Sequence, residues 1–237
     1  MTPRAIFLPK DLPAEAVSVL KENIPDGTKL FALEPDGKLA FPERAHPDMI
    51  LSAADGTVVC DESYCEANEG LFSGVSALGI TVRCEKTERG EEYPSNVSYN
   101  VLVTEAFIMC RTKSASPLLL RLCKNREVID VGQGYAACST LWDGIGAVTA
   151  DPSVYNALTA YGIECLRIRQ GYIKLDPYGY GFIGGASMRV GDTVFTFGSI
   201  ETHPDGEEIK AFLTSHGKKI IPLFDGLLID FGSAVVV

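Results

Sequence analysis

The sequence contains few of the features by which a site or a cellular location is usually recognised. It has only three histidines, no Cys-x-x-Cys pair, no low-complexity tract and no glycine-rich phosphate loop. No apolar run approaches the ~18 residues that a membrane-spanning helix requires, and Met1-Thr2-Pro3-Arg4 lacks the apolar core of a signal peptide. These absences argue against a structural zinc site, a nucleotide-phosphate loop and a membrane protein.

Positive charge is also scarce, because 21 lysines and arginines stand against 31 aspartates and glutamates, for a net charge of −10. A nucleic-acid surface needs a basic patch, and an anionic membrane surface would repel this chain. The predicted partner is therefore a small molecule of unknown identity, and neither nucleic acid nor a membrane. The charge is compatible with a cationic ligand. The oligomeric state stays open.

The seven cysteines are odd in number and follow no secretory segment, which predicts reduced thiols in a cytoplasmic protein. Most lie in apolar segments, where a cysteine is a small buried hydrophobe. Cysteines and histidines show no ligand spacing, so neither a metal site nor a cofactor is predicted. The most polar stretch, residues 85–92, is predicted to be a solvated surface loop.

An internal repeat is the most informative feature that the sequence does contain. Gln-Gly-Tyr occurs at Gln133–Tyr135 and again at Gln170–Tyr172, each time after a β-like run and before another apolar segment. The segments around the two copies also resemble each other. Periodic self-similarity of this kind predicts a repeated structural unit.

The unit around the first copy is predicted to be strand, strand, helix, strand. Asp151-Pro152 predicts the helix start, because Asp can accept from a free backbone N–H and Pro suits the first helical position. The predicted elements are strands at 138–142 and 147–150, a helix from Asp151 to Gly162 with Val154, Leu158 and Tyr161 on its apolar face, and a strand at 164–168.

The same order can be followed through the rest of the chain. The next unit has strands at 182–186 and 193–197, a helix opened by His203-Pro204-Asp205, and a strand at 219–223. Two earlier units have strands at 49–51, 57–60 and 80–83 around a helix at 63–77, and strands at 99–103, 107–110 and 127–131 around a helix at 114–123. A fifth unit is split across the termini, with strands at 232–237, 5–8 and 29–32 and a helix at 13–22.

These units predict an α/β fold in a single domain over residues 1–237. Five strand–strand–helix–strand units would surround a pseudo-fivefold axis, and the terminal segments would complete the last unit. Such a ring leaves no half-paired unit and no open sheet edge.

Five such units resemble the plan of the pentein superfamily, which includes arginine deiminases, amidinotransferases, dimethylarginine hydrolases, agmatine deiminases and a ribosome anti-association factor. The C-terminal part is also similar to an uncharacterised family of bacterial proteins of the same length. The segments that carry this similarity are 133–139, 180–187, 203–206 and 230–233. The resemblance implies a pentein-like propeller in which the first strand of each unit lines the axis and ligands bind at its mouth.

The candidate binding residues are polar or very small groups near the starts of the predicted first strands. They are Asp48, Asn96, Asn100, Ser139, Gly184, Gly185, Asp230 and Ser233, with Tyr180 on the rim. Turn chemistry at strand ends is the alternative explanation for the polar members. The two glycines may equally serve close backbone packing at the axis.

The resemblance also implies a chemistry, since pentein hydrolases attack a guanidinium carbon with a cysteine thiolate, assisted by a histidine and by carboxylates that hold the cation. Cys138 is the candidate nucleophile, with His46 and His203 as candidate catalytic histidines. Cys138 lies in a middle unit, whereas the family places its cysteine in the last unit, where this chain has Ser233. A structural thiol is the alternative for Cys138.

The histidines differ in how well simple helix capping explains them. His203-Pro204-Asp205 opens a predicted helix, so capping is its alternative role. The same triplet at His46-Pro47-Asp48 precedes a predicted strand, which makes His46 the stronger site candidate. His216 at a helix end is predicted to interact with the helix dipole.

The predicted function is a cytoplasmic protein with an axial pocket for a small polar molecule, acting as a hydrolase or transferase on an amidine or guanidine. The alternative is a non-catalytic pentein-like binding or assembly factor. Convergence of Cys138, a histidine and two carboxylates in one pocket would favour the enzyme.

Overall fold

The computed structural model describes residues 2–237, in which fifteen strands form five three-stranded sheets. In every sheet a first strand is antiparallel to a middle strand, which is parallel to a third strand. Parallel neighbours need a crossover connection, and a helical segment supplies it in each sheet. The five sheets therefore share one topology, as the repeat predicts.

The bounds of the elements follow the order of the chain. The first strands are β3 (Leu51–Ala54), β6 (Leu102–Val103), β9 (Thr140–Trp142), β12 (Ser187–Val190) and β15 (Val235–Val236). The middle strands are β1 (Ala5–Pro9), β4 (Thr57–Asp61), β7 (Phe107–Cys110), β10 (Ala147–Thr149) and β13 (Thr193–Thr196). The third strands are β2 (Lys29–Leu33), β5 (Thr81–Glu85), β8 (Glu127–Asp130), β11 (Cys165–Arg167) and β14 (Lys219–Pro222). The helices are α1 (Ala14–Asn23), α2 (Pro47–Ile50), α3 (Glu62–Ala67), α4 (Glu69–Ala77), α5 (Pro117–Leu122), α6 (Pro152–Ala160) and α7 (Gly206–Ser215).

The terminal segments share one sheet, as predicted for the split unit. Strand β15 pairs antiparallel with β1, with Val236 opposite Ile6 and Val235 opposite Phe7. The middle strands are the most buried elements, and every residue of β1, β7 and β10 is buried. Because both faces of these strands are covered, their sequences are continuous apolar runs. None of the helices in residues 2–237 combines the length and apolar character needed to span a bilayer.

The predicted start of α6 is confirmed by its capping contacts. The carboxylate of Asp151 accepts hydrogen bonds from the backbone N–H groups of Ser153 and Val154, and proline occupies the first turn. Val154 and Leu158 are fully buried, whereas Tyr161 follows the last helical residue and is 49% exposed. The predicted apolar face is therefore wrong at Tyr161, because the helix ends before its side chain can turn inward.

Three predicted strand starts are wrong for a common reason. Residues 47–50 form α2, so β3 begins only at Leu51; residues 99–101 precede β6; and residues 182–186 precede β12. In the last segment the Ala186 N–H donates to Phe182 O at 3.0 Å, as in a turn. All three segments are apolar because they are buried, and burial alone does not distinguish a strand from a turn.

The helix predicted at 63–77 is two helices, α3 and α4, which meet at Asn68. The Asn68 side-chain amide donates to Tyr64 O at 2.9 Å. Cys65 of α3 also forms a disulfide with Cys84 of β5, with 6.4 Å between their Cα atoms. The prediction of free thiols is wrong for this pair, because 19 residues of separation give no sign that the helix start faces the third strand.

The charged stretch at 85–92 is not wholly solvated, because Arg89 is 6% exposed. Its guanidinium pairs with the Asp36 carboxylate and donates to Met49 O at 2.7 Å. It also lies over the Tyr99 ring, 5.2 Å from the centroid. Arg89 therefore ties the loop to the segment that includes α2.

Replacing Arg89 by Met should lower the free energy of unfolding by about 3–5 kcal/mol, because the Asp36 carboxylate loses its charged partner while still buried. Urea denaturation measures the change. Lys86→Met in the same loop is the matched control, since Lys86 is exposed and should change stability by less than about 0.5 kcal/mol. Equal effects of the two substitutions would contradict the structural role of Arg89.

His216 follows α7 and lies between two carboxylates of another unit. Its Nδ1 is 2.6 Å from Asp143 Oδ2, and its Nε2 is 3.3 Å from Glu164 Oε2. The hydrogen bond with Asp143 is the main cause that raises the pKa of His216 above its usual value, and the nearby negative charges add to it. The contact is an ion pair between units and exceeds the predicted dipole interaction.

A raised pKa means that the folded protein keeps the His216 proton to higher pH than the unfolded chain does. The stabilisation should therefore be complete below about pH 6 and disappear as the pH rises through the folded pKa. We expect a loss of about 1 kcal/mol between pH 6 and pH 8 in the parent and none in His216→Gln. Thermal unfolding at several pH values measures it, and identical pH slopes would exclude His216 as the cause.

Candidate functional site

The segments that precede the five first strands meet beside one buried volume. This volume, the site cavity, measures about 290 Å³, which suits a small metabolite. It is lined by Glu43, His46, Met49, Tyr135, Cys138, Leu175, Tyr178, Gly179, Tyr180, Phe182 and Asp230.

Backbone hydrogen bonds connect three of these segments in sequence. The Asp48 N–H donates to Gly232 O at 3.2 Å, which joins the segment before β3 to the segment before β15. The Ser233 N–H donates to Gly185 O at 2.9 Å, and the Gly185 N–H donates to Cys138 O at 2.9 Å. Four of the five strand starts are joined in this way.

Asn100 joins the remaining segment to its neighbours on both sides. Its Oδ1 accepts from the N–H groups of Ala137 and Cys138 at 2.8 and 3.1 Å. Its Nδ2 lies 3.3 Å from Met49 Sδ, next to α2. With Asn100 the contacts return to the segment from which they began, so every strand start is fixed by two others.

Cys138 lies at the floor of the site cavity and is 2% exposed. Its thiol donates to Asp48 Oδ2 at 2.8 Å and accepts from Asn100 Nδ2 at 3.2 Å. Burial and the nearby Asp48 carboxyl raise the pKa of the Cys138 thiol well above its usual value. Burial also raises the pKa of Asp48 well above the usual range. The pair therefore keeps its protons at neutral pH.

His46 and Asp230 form a second pair on the cavity wall. His46 Nδ1 lies 3.9 Å from Asp230 Oδ1, and both residues are buried. The Asp230 carboxylate accepts from the N–H groups of Phe182 and Gly232 at 2.8 and 2.9 Å. Burial raises the pKa of Asp230, while the charge of His46 acts in the opposite direction. His46 also directly precedes α2 and Pro47 is its first residue, so the expectation that capping plays no part at this triplet is wrong.

Gly184 and Gly185 are required by close contacts. A Cβ at Gly184 would overlap the carbonyl oxygens of Ala137 and Cys138, and a Cβ at Gly185 would overlap the Asp230 carboxylate. The predicted tight packing at these glycines agrees with their surroundings. They form the narrow part of the site and leave no room for side chains.

Aromatic rings and Glu43 make up the outer wall. Tyr135 stacks on Phe182 with centroids 5.9 Å apart, and its hydroxyl donates to Glu43 Oε1 at 3.1 Å. Tyr178 and Tyr180 are 45% and 37% exposed and reach the opening. Within residues 2–237, no lysine or arginine lines this cavity, although two carboxylates do. The electrostatics therefore favour a cation.

Some predicted site residues lie outside the cavity. His203 Nδ1 accepts from the Asp205 N–H at 3.0 Å, its Nε2 donates to Arg169 O at 3.1 Å, and its ring packs against Tyr172. It holds the loop before α7 and does not line the cavity with Cys138, so its predicted partnership with Cys138 is wrong. Its surroundings were hidden because the identical triplet occurs at His46.

Three other predicted residues have local roles. The Ser233 hydroxyl donates to Ser187 O at 3.0 Å, on the side away from the site cavity. The Ser139 hydroxyl is buried and lines a separate cavity beside Gln133. Asn96 lies behind the wall and donates to the Tyr135 hydroxyl at 2.9 Å.

Glu43, Tyr135, Tyr178 and Phe182 were missed as a group by the sequence. Glu43 lies in a loop between two units, far in sequence from Tyr135, and its 7% exposure could not be foreseen for a glutamate. The aromatic residues stand near the Gln-Gly-Tyr repeats, which was the available signal. Only Tyr180 of this wall was named as a binding residue.

Three side chains offer different donor atoms in a small space. A nitrogen of His46, the sulfur of Cys138 and an oxygen of Asp230 all lie within 4.8 Å of one another. A thiol must lose its proton before it can ligate a metal. In this structure the Cys138 proton is held by Asp48, so the group reads as a hydrogen-bonded thiol beside a His–Asp pair.

The chain belongs to a family described as "Family of unknown function (DUF6873)", whose model matches residues 10–235. No curated protein sequence matches the chain. Solved structures match over nearly the whole chain. They include dimethylarginine dimethylaminohydrolase (TM-score 0.61, 10% identity, covering 99% of this chain and 100% of that one). An amidinotransferase from Microseira wollei follows, with TM-score 0.57, 11% identity and coverage of 93% and 88%.

The N-terminal domain of a cyanobacterial arginine dihydrolase is also similar, with TM-score 0.55, 12% identity and coverage of 97% and 94%. At these identities the likeness shows the fold alone. The fold is that of the penteins, which agrees with the resemblance seen in the sequence.

Gly185→Ala should lower the free energy of unfolding by at least about 2 kcal/mol, because the added Cβ overlaps the buried Asp230 carboxylate. Gly179→Ala is the matched control, since Gly179 lines the same cavity and a Cβ there meets nothing within 4 Å. Urea denaturation of both variants measures the difference. Equal stability of the two would show that Gly185 is not packed as described.

Proposed function

We propose that this protein is a hydrolase or transferase that acts on a small amidine or guanidine compound through the thiol of Cys138. The observation that carries the proposal is the composition of the site cavity. Cys138 lies at its floor, and its wall has two carboxylates, His46 and four aromatic rings, without a lysine or arginine among residues 2–237. Solved proteins of the same fold include enzymes named for action on dimethylarginine and arginine.

We also propose that the five sheets close into a pentein-like propeller around the two carboxylates. The pairing of β15 with β1 and the hydrogen bonds among the five strand starts support closure. A second cavity of about 380 Å³ supports it further, because residues of all five first strands line it. This volume is called the strand cavity below.

The wall of the site cavity matches a planar cation. A guanidinium group can pair with a carboxylate through two parallel N–H···O bonds and can stack on an aromatic face. Glu43 and Asp230 supply the carboxylates, and Tyr135 and Tyr178 supply faces near the opening. An anionic ligand would meet only repulsion from this wall.

The chemistry begins when Cys138 loses its proton and its sulfur bonds to the amidine carbon. His46 gives a proton to one nitrogen, and the C–N bond breaks to release an amine or ammonia. Water then adds to the carbon of the thiouronium intermediate and the C–S bond breaks, which leaves a ureido product and restores the thiol. If an amine replaces water in the second step, the same intermediate gives an amidino transfer.

A non-catalytic cation-binding protein is the second candidate, and one observation favours it. Burial and the Asp48 carboxyl raise the pKa of the Cys138 thiol, so few molecules hold a thiolate at neutral pH before a ligand arrives. In that case Glu43, Asp230 and the rings would bind a guanidinium or ammonium group without turnover.

A panel of guanidino compounds from methylguanidine to arginine tests both candidates by thermal shift and by release of ammonia or amine. We expect binding to the parent and to Cys138→Ala, with product formed by the parent alone. Cys165→Ala is the matched thiol control, because Cys165 belongs to β11 and does not line the cavity. Binding without product in the parent would favour the non-catalytic candidate.

Glu43→Gln should weaken binding of a guanidino ligand at least about tenfold, because it removes a wall charge while keeping the shape of the side chain. The same substitution should leave binding of an uncharged ureido analogue within about twofold. Isothermal titration measures both. If no cation binds the parent, or if Glu43→Gln binds cations as tightly as the parent, the proposed ligand class is wrong.

A further inference from the structure

Asp48 is the part of the site whose contacts are least explained by the reaction above. Its Oδ2 accepts from the Cys138 thiol at 2.8 Å, while its Oδ1 is buried and has no hydrogen-bond partner within residues 2–237. Cys138 lines the site cavity, and Asp48 lines the strand cavity. The Asp48 carboxyl therefore separates two cavities, with its thiol contact on one side.

The strand cavity has the size and the polar atoms that ordered water needs. Its volume of about 380 Å³ holds several water molecules. The Thr140 hydroxyl lines the same cavity, and its Oγ1 also lacks a protein partner. A buried polar atom without a partner costs about 1–3 kcal/mol. Water bonded to Asp48 Oδ1 and Thr140 Oγ1 removes both costs.

The protonation of Asp48 decides what this water can do. A charged carboxylate would be buried beside Cys138 with Asp230 nearby, and neither neighbour is a fixed cation. Burial raises the pKa of Asp48 well above its usual range, so the neutral acid is the resting form. In the neutral acid Oδ2 can accept from the thiol while Oδ1–H donates into the strand cavity.

We propose that Asp48 relays the Cys138 proton to water in the strand cavity, on the side away from the substrate. Oδ2 takes the thiol proton while Oδ1 gives its own proton to the water, so Cys138 becomes a thiolate and Asp48 stays neutral. The reverse steps restore the thiol when the product leaves. Thr140 is a positioning residue that holds the accepting water.

The relay leaves His46 free for the other proton of the reaction. The hydrogen bonds of Cys138 are with Asp48 and Asn100, and His46 faces the site cavity beside Asp230. The groups that can affect the pH dependence are His46 and Asp230 on the substrate side. On the strand-cavity side they are Glu105, Arg189 and the carboxylate of the C-terminal residue, Val237.

The catalytic meaning of the relay rests on the proposed function, but the relay itself can be tested without any substrate. Iodoacetamide is small and uncharged, and its reaction with Cys138 requires the thiolate. Mass spectrometry of the Cys138 peptide separates this reaction from that of the other cysteines. Alkylation rates are measured from pH 6 to pH 9 on the full-length protein.

Asp48→Asn keeps the shape of the side chain but cannot pass a proton, so Cys138 should be alkylated at least tenfold more slowly at pH 7. If Asp48 were only a negative charge that opposes the thiolate, the same substitution would speed alkylation. The two explanations thus predict opposite signs. An unchanged or faster rate overturns the relay.

Thr140→Val should slow alkylation about three- to tenfold, and Thr140→Ser, which keeps the hydroxyl, should recover most of the rate. Ser52→Ala is the matched control, because Ser52 lines the strand cavity but has no part in the relay. Equal rates for Thr140→Val and Thr140→Ser overturn the proposal, and this pair decides the question if Asp48→Asn does not fold. Relay effects on alkylation without turnover of any guanidino compound would retain the relay and reject the enzyme.

Discussion

The structure depends on the pairing of backbone groups where the five strand starts meet. Each segment brings N–H and C=O groups into a volume that water scarcely enters, and unpaired groups there would each be costly. The pairing passes from Asp48 to Gly232, from Ser233 to Gly185, and on to Cys138. Asn100 supplies side-chain atoms where backbone atoms do not reach.

This constraint also shapes the site. Because Gly185 and Asp230 are packed against each other, the carboxylate is held in one place and aimed along the cavity wall. The contacts that fix the backbone of Cys138 also fix its sulfur between Asp48 and Asn100. A rigid floor under a wall of rings and carboxylates is suited to one small cation. The fold by itself carries no activity, since the similar enzymes share about a tenth of their residues with this chain.

The sequence predicted the repeated unit better than the conformation of its first strand. Middle strands such as β7 match their predicted bounds because continuous apolar runs with defined turns describe them well. Apolar segments before β3 and β12 were taken as strands, although they form α2 and a turn. Burial gave both segments a strand-like composition. The two histidine triplets were indistinguishable until the structure put His46 in the cavity and His203 outside it.

What the sequence determined by itself is the repeat, the division of the chain into five units and the positions in the chain at which polar or very small residues begin each first strand. These follow from periodicity and turn chemistry, which act over a few neighbouring residues. Only the tertiary structure decided that Glu43 faces Cys138's cavity, that Arg89 is buried against Asp36, and that Asp48 touches the thiol. Such contacts join residues dozens of positions apart, and no local pattern records which segments will meet.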